Sequence, residues 1–300
     1  MKNLLVVLLI SSCNISAEYK NTNGIAADKS YRDMIKWVRS DVEPEITRIE
    51  LSTEWQNINL LTDDNYAIWI GHSTFLIKKN GVTILTDPIF SKRASPLRNI
   101  GPKRLIPPAI PLEMIPKIDV VTISHNHYDH LDIRTLVKIS KKYPEAVFLV
   151  PAGDEKLLKR KGIKNVYHFQ WWESYRFDDF IFSFTPVQHW SKRTLFDRNK
   201  SLWGGWYIKH KDYSLYHAGD TGYPKDFVDT KERLGAPKYA FIPIGAYDPE
   251  WFMSESHVNP EDAVQIMIDL EAKKAFGMHW ATFVLTDEDT IEPKIRLEEA

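Results

Sequence analysis

An apolar stretch, Ile118 to Ile123, runs into His125-Asn126-His127-Tyr128-Asp129-His130, and this H-x-H-x-D-H pattern constrains the chain more than any other feature. Buried together, such groups need a compensating cation, and imidazole with carboxylate suits zinc. The preceding run reads as a buried strand, and loops at strand ends are where a rigid scaffold presents chemistry. One loop cannot complete two metal shells, so further ligands are expected at other strand ends. His189, Asp220 and His279 are the first His or Asp residues after three more apolar strands.

Composition narrows the alternatives. The chain has 300 residues, 43% hydrophobic and 26% charged, which is ordinary for a folded protein. A single cysteine excludes an internal disulfide and any site built on two thiolates. A formal net charge of -1 argues against nucleic-acid binding through a broad basic surface. The start, Met1 to Ser12, has one lysine and an apolar run from Leu4 to Ile10, too short to span a bilayer. It reads as a signal peptide, with the sole cysteine, Cys13, at a lipobox-like junction and so a candidate for lipid attachment. The expected organisation is a lipoprotein-type signal at 1–12, a tether and N-terminal extension at 13–50, and a catalytic domain at 51–300. The expected location is the cell envelope, on the outer-membrane or periplasmic side in a Gram-negative cell, with secretion or a free periplasmic protein as the alternative.

Along the chain, a helix is expected near Tyr31 to Arg39, strands at YAIWIG and TFLIKK, and a hairpin at Asn80-Gly81 leading into VTILTD. A proline-rich loop follows, then the strand before the His cluster and a helix near Ile133 to Lys142. The second half repeats the rhythm, with strands at FIFSFTPV, WGGWYIKH, YSLYHAGD, YAFIPIG and AFGMH. Asn259 and Pro260 mark the start of a helix running to Ala272. Antiparallel strands followed by βα units predict an α/β fold with two mixed sheets packed face to face and helices outside.

The segments GHSTFLI, ILTDPIFSKRASPL, GPKR, VTISHNHYDHLD, FTPVQHWSKRTLFDRNKSLWGGW, HAGDTGY, IPIGAYDPEWFMSESHVNPEDAV and KKAFGMHWATF carry a clear resemblance. Together they resemble the metallo-β-lactamase superfamily, and within it the branch of N-acyl-phosphatidylethanolamine-hydrolysing phospholipase D. The resemblance implies an αββα sandwich and two zinc ions. His125, His127 and His189 would hold one, Asp129, His130 and His279 the other, and Asp220 would bridge them. It implies that His257 lies beside the metals as a catalytic helper, and that Asp129 and Asp220 belong to the reacting centre. The implied reaction is phospholipase D-type hydrolysis of N-acyl-phosphatidylethanolamine by a hydroxide held between the metals. The branch usually continues past Leu297-Glu298-Glu299-Ala300, and residues up to about Asn65 are not distinctive of it.

Other residues are less decided. Asp87 is either a partner orienting a ligand histidine or a turn-capping residue. His72 reads more as a structural histidine than as a site residue. His168, His210 and His217 read as packing or surface residues. Lys192 and Arg193 could attract an anionic phosphate or form a solvated pair. Trp171, Trp172, Trp190, Trp203, Trp206 and Trp251 read mostly as core or half-buried, with a few open to lining an acyl or headgroup groove. Alternative functions are a sugar-phosphate lactonase or another metallo-hydrolase on the same scaffold, and a non-catalytic envelope binding protein. The expected partners are a phospholipid substrate and a membrane, with no nucleic acid, and a homodimer is left open.

Overall fold

A computed structural model of the chain describes residues 19–25, 29–40 and 42–300. The first half builds one sheet from β1 (Tyr66–Gly71), β2 (Thr74–Lys79), β3 (Val82–Thr86), β4 (Val120–Thr122), β5 (Val147–Pro151) and β6 (Val166–Phe169), in that spatial order. The first three strands are antiparallel, and β3 through β6 are parallel. The second half builds the other sheet from β7 (Ser174–Phe177), β8 (Phe180–Thr185), β9 (Gly205–His210), β10 (Tyr213–His217), β11 (Tyr239–Pro243) and β12 (Lys274–Met278). It too is antiparallel at first and becomes parallel from β10 onward.

The helices follow from this pairing, because parallel neighbours need a crossover. After α1 (Tyr31–Arg39), α2 (Ile133–Lys142) and α3 (Glu155–Arg160) connect the parallel strands of the first sheet. In the second sheet, α4 (Asp226–Leu234) joins β10 to β11, and α5 (Glu250–Met253) and α6 (Pro260–Asp269) lie between β11 and β12, with α7 (Glu292–Glu299) beyond. The expected α/β sandwich of two mixed sheets is the observed architecture. Asn259 caps α6, its side chain accepting from the Asp262 N–H, and Pro260 opens the helix as read from the sequence. Several elements escaped the sequence reading, among them β7 and α4. The edge strand β7 is short and has no buried residue, and α4 lacks a side-chain cap and carries Val228 and Thr230, which lower helix preference. The parallel connection and the buried Phe227 hold α4 instead.

Strand periodicity sorts the core. Phe75, Ile77, Ile84, Val120 and Leu149 point into the space between the sheets, while Leu76, Leu85, Val121, Phe148 and Val150 face the helices outside. Across the interior, the rings of Phe75 and Phe241 stack 3.8 Å apart at 6°. Trp206 is fully buried and its indole N–H donates to the Ile123 carbonyl at 2.8 Å. That bond ties the second sheet to the first two residues before His125. N-terminal residues also pack on this body. Trp37 donates to Asp287 at 3.0 Å and stacks on Phe252 at 5.2 Å, and the Thr47 N–H donates to Thr290 at 2.9 Å.

β8 and β10 are both antiparallel to β9, so they run the same way, as do β11 and β12. The C-terminal ends of β8, β10, β11 and β12 therefore share one edge of the second sheet. This edge meets the loop that follows β4, and here the fold can gather residues from five separate segments. Trp206→Phe keeps the ring but strands the buried Ile123 carbonyl, so a loss of about 1–3 kcal/mol is expected in chemical denaturation.

Candidate metal centre

The loop between β4 and α2 presents its side chains inward because both of its ends are fixed. Asp132, the N-cap of α2, accepts from the Ser91 N–H at 3.0 Å and from the Thr135 hydroxyl at 2.6 Å. Arg193 holds the middle. Its guanidinium lies 4.1 Å from the Tyr128 ring centroid and donates to the carbonyls of Asn126 at 2.7 Å and Leu131 at 2.8 Å. Arg193 thus straps the His-rich loop and is neither a solvated charge nor free to meet a phosphate, as the sequence reading had allowed. Lys192 beside it is half-buried, and burial lowers its ammonium below the ordinary range, helped by Arg198.

Two donor groups form around this loop. In the first, His125 Nε2 lies 2.9 Å from His127 Nδ1, and His189 Nε2 lies 3.2 Å from the same atom. Three ring nitrogens converging this closely cannot all be satisfied by hydrogen bonds to one another, whereas one cation satisfies all of them. In the second, Asp129, His130 and His279 come together with His72. His279 Nε2 is 3.3 Å and His72 Nε2 is 2.9 Å from Asp129 Oδ2. Asp220 stands between the groups. Its Oδ2 is 3.1 Å from both His130 Nε2 and His279 Nε2, 3.7 Å from His125 Nε2 and 3.9 Å from His189 Nε2. His257 Nδ1 is 3.9 Å from that same oxygen. All eight residues proposed from the sequence are thus brought into one place, and His72, read as structural, joins them.

Neighbours fix the ring orientations. His189 Nδ1 donates to the Ser256 carbonyl at 3.0 Å, which turns Nε2 into the cluster. Asp87 does the same for His130, with Oδ2 2.8 Å from Nδ1, while its Oδ1 accepts from the Ser124 N–H at 2.7 Å. Asp87 is therefore an orienting partner, which settles the sequence alternative. Two glycines let backbone close in. Gly219, at φ +66°, precedes Asp220, and a Cβ there would lie 2.6 Å from Ser124 Cβ. At Gly245 a Cβ would sit 2.4 Å from the His279 carbonyl oxygen. The other histidines behave as read: His168 is exposed near Glu155, His210 packs beside Asn80, and buried His217 donates to the Ser73 carbonyl at 3.0 Å. Among the tryptophans, Trp190 lies 4.4 Å from His127, edge to face, and Trp251 is exposed.

The donor chemistry fits a divalent metal. His127 Nε2, Asp220 Oδ1 and His257 Nδ1 are buried without a hydrogen-bond partner. Burial holds His125 and His189 well below the ordinary imidazole range and pushes His127 down to about 3. All three are thus neutral donors. Burial also pushes His130 and His279 down, but the adjacent Asp220 and Asp129 outweigh it. His130 is held well above its ordinary value and His279 at about 9. Burial favours the neutral carboxyls, yet His130 overrides it and keeps Asp129 and Asp220 ionised far below the usual range.

Comparison with known proteins agrees. Residues 82–280 match the family described as the beta-lactamase superfamily domain. The chain belongs to the β-lactamase superfamily. Within it, the chain is similar to the phospholipase D-like branch. It is 42% identical over 240 residues to a mitochondrial N-acyl-phosphatidylethanolamine-hydrolyzing phospholipase D of Saccharomyces cerevisiae, covering 78% of this chain and 51% of that protein. It is 38% identical to N-acyl-phosphatidylethanolamine-hydrolyzing phospholipase D 1 of Caenorhabditis elegans, covering 78% of this chain and 69% of the relative. The chain thus spans about half the length of the yeast protein. Among solved structures it resembles Igni18, a metallo hydrolase of the archaeon Ignicoccus hospitalis, with 25% identity and a TM-score of 0.58, covering 78% of this chain and 90% of that one.

In this member of the superfamily the two donor groups start from different protonation states, and that has a measurable consequence. His125, His127 and His189 are already neutral, whereas His130 and His279 must each lose a proton before binding a metal. Raising the pH from 6.5 toward 9 is therefore expected to tighten binding at the Asp129–His130–His279 group by about tenfold per unit for each proton released, while the three-histidine group changes little. Chelator competition across that range, with proton release followed in parallel, checks this.

Proposed function

We propose that the chain binds two zinc ions and hydrolyses N-acyl-phosphatidylethanolamine-type phospholipids to phosphatidic acid and an N-acylethanolamine. The observation that carries this reading is the division of the ligands into two groups joined by one buried oxygen, Asp220 Oδ2. His125, His127 and His189 would hold one ion, Asp129, His130 and His279 the other, and Asp220 both. A bound pair of this kind supplies Lewis acidity toward phosphoryl oxygens and lowers the pKa of a water molecule. The names of the yeast and worm relatives supply the substrate class. Large apolar side chains left exposed on the loops carrying His189, Asp220 and His257 are consistent with a lipid. Phe196 is 57% exposed, Tyr223 42% and Trp251 47%.

In the reaction, a water oxygen forms the new bond to phosphorus, the bond from phosphorus to the ethanolamine oxygen breaks, and that oxygen leaves with a proton. Arg193 and Asp87 keep the loop and the His130 ring in place. His257 has a definite part. Burial pushes it to about 4 and its Nδ1 has no partner, so it is neutral at pH 7 and suited to donate a hydrogen bond to a phosphoryl oxygen rather than to deliver a full proton.

The test incubates the metal-loaded protein with the lipid in mixed micelles, beside lactones and simple phosphodiesters. Both lipid products are expected by mass spectrometry, with label from ¹⁸O-water in the phosphatidic acid. His257→Gln is expected to lower kcat about 100-fold with bound metal unchanged. Turnover of lactones or simple diesters with none of the lipid would overturn the substrate.

The leader peptide and Cys13 lie outside the described residues, and no helix among the described residues is long and apolar enough to cross a membrane. The proposal includes lipid attachment at Cys13 and envelope localisation, on the sequence of the leader alone. Cys13→Ser is expected to shift the protein from the membrane fraction to the soluble fraction. Retention on the membrane would reject the anchor.

A further inference from the structure

Residues 19–25 lie ahead of every segment that carries the family resemblance, yet they lie against the metal centre. Asn21 is 5% exposed. Its Oδ1 accepts from the His189 backbone N–H at 3.0 Å and from the Trp203 indole N–H at 2.8 Å, and its Nδ2 donates to the Ile25 carbonyl at 2.8 Å. Two donors converge on one oxygen and one acceptor faces the nitrogen, so the amide orientation is dictated by its surroundings. On either side, the Tyr19 N–H donates to the Asn199 carbonyl at 3.0 Å, and Asn23 donates to Gln188 Oε1 at 2.7 Å. Thr22 reaches away from the site, donating to Asp226 at 2.7 Å.

His189 is thereby held at two points. The Ser256 carbonyl fixes its ring, and Asn21 fixes its backbone. A buried N–H without an acceptor costs about 1–3 kcal/mol, and His189 lies on a loop where no strand partner would take over.

We propose that Asn21 is a positioning residue for His189, so that the segment at 19–25 completes the three-histidine half of the metal centre from 168 residues away in sequence. The proposal rests on the reading of His189 as a metal ligand, and it takes the N-terminal segment beyond the role of a tether. Without Asn21, the His189 backbone is free to find another acceptor, and Nε2 no longer meets His125 and His127 at a fixed distance. The half built by Asp129, His130 and His279 does not depend on this contact.

The test is metal binding by the full-length protein, with no lipid present, so that failure of the lipid activity leaves its outcome readable. Wild type, Asn21→Ala, Asn21→Asp and Thr22→Val are loaded with zinc and titrated with a chelator. One zinc of Asn21→Ala is expected to dissociate at about 10- to 100-fold lower chelator concentration, with the other unchanged. Asn21→Asp keeps the accepting oxygen while its second oxygen replaces the donor to the Ile25 carbonyl, and it is expected to recover part of the loss. Thr22→Val disturbs the same segment but not His189 and is expected to bind both ions as wild type does. Cobalt-substituted samples provide a second readout, since the visible band of only one ion should change in Asn21→Ala. Thermal unfolding shows which variants are folded, and Asn21→Asp carries the test if Asn21→Ala is not. Wild-type retention in Asn21→Ala, equal weakening of both ions, no recovery in Asn21→Asp, or equal loss in Thr22→Val would each overturn the proposal. A wild-type protein that binds no zinc would overturn both it and the ligand reading beneath it.

Discussion

Asp220 places one carboxylate oxygen within 3.9 Å of five imidazole nitrogens in a largely buried region. A low-dielectric interior does not tolerate that concentration of lone pairs and partial charge without a cation or trapped protons. Much of the architecture serves this arrangement. The two sheets bring their strand ends to a common edge, and the tight turn at Gly219 lets the Asp220 segment rest against Ser124. Arg193 spends its buried charge on the carbonyls of the loop that carries four of the donors. Asp87 serves twice, on the His130 ring and on the Ser124 backbone.

The imidazoles and carboxylates of one half of the centre compensate one another. In the metal-free chain, His130 and His279 hold protons because two carboxylates face them, and those carboxylates stay ionised because the imidazoles are there. The three histidines around His127 Nδ1 carry no such compensation and remain neutral. The two halves of the centre therefore differ in their response to pH, although they share Asp220 and sit side by side.

The sequence revealed most of the donors because they follow a local rule: each lies just after an apolar run, and four lie in one short motif. The main strands and the mixed type of the sheets were legible for the same reason, through alternation and turn residues. What stayed hidden was contact between distant segments. Asp87 could be an orienting residue or a turn cap, and only its 2.8 Å approach to His130, 43 positions on, decided between them. His72 gave no signal beyond a Gly-His turn, though it sits at φ +57° against Asp129. Arg193 looked like a substrate-binding cation because its neighbours in sequence are site residues, but its guanidinium turns back to the loop. Asn21 lies in a stretch with no periodicity, and its role exists only once His189 and Trp203 are beside it.

The chain has one cysteine, so no internal disulfide joins its two halves. The ligand cluster occupies the place such a link would take. Five donors, counting His72, come from the half that builds the first sheet, and four, counting His257, from the half that builds the second. His279 follows β12, the last strand in chain order. During synthesis the His-rich loop emerges long before its partners, and His279 can join the cluster only after β12 has emerged. A cage of all these residues thus exists only where both sheets have formed, and a half-made chain offers at most a fragment of it.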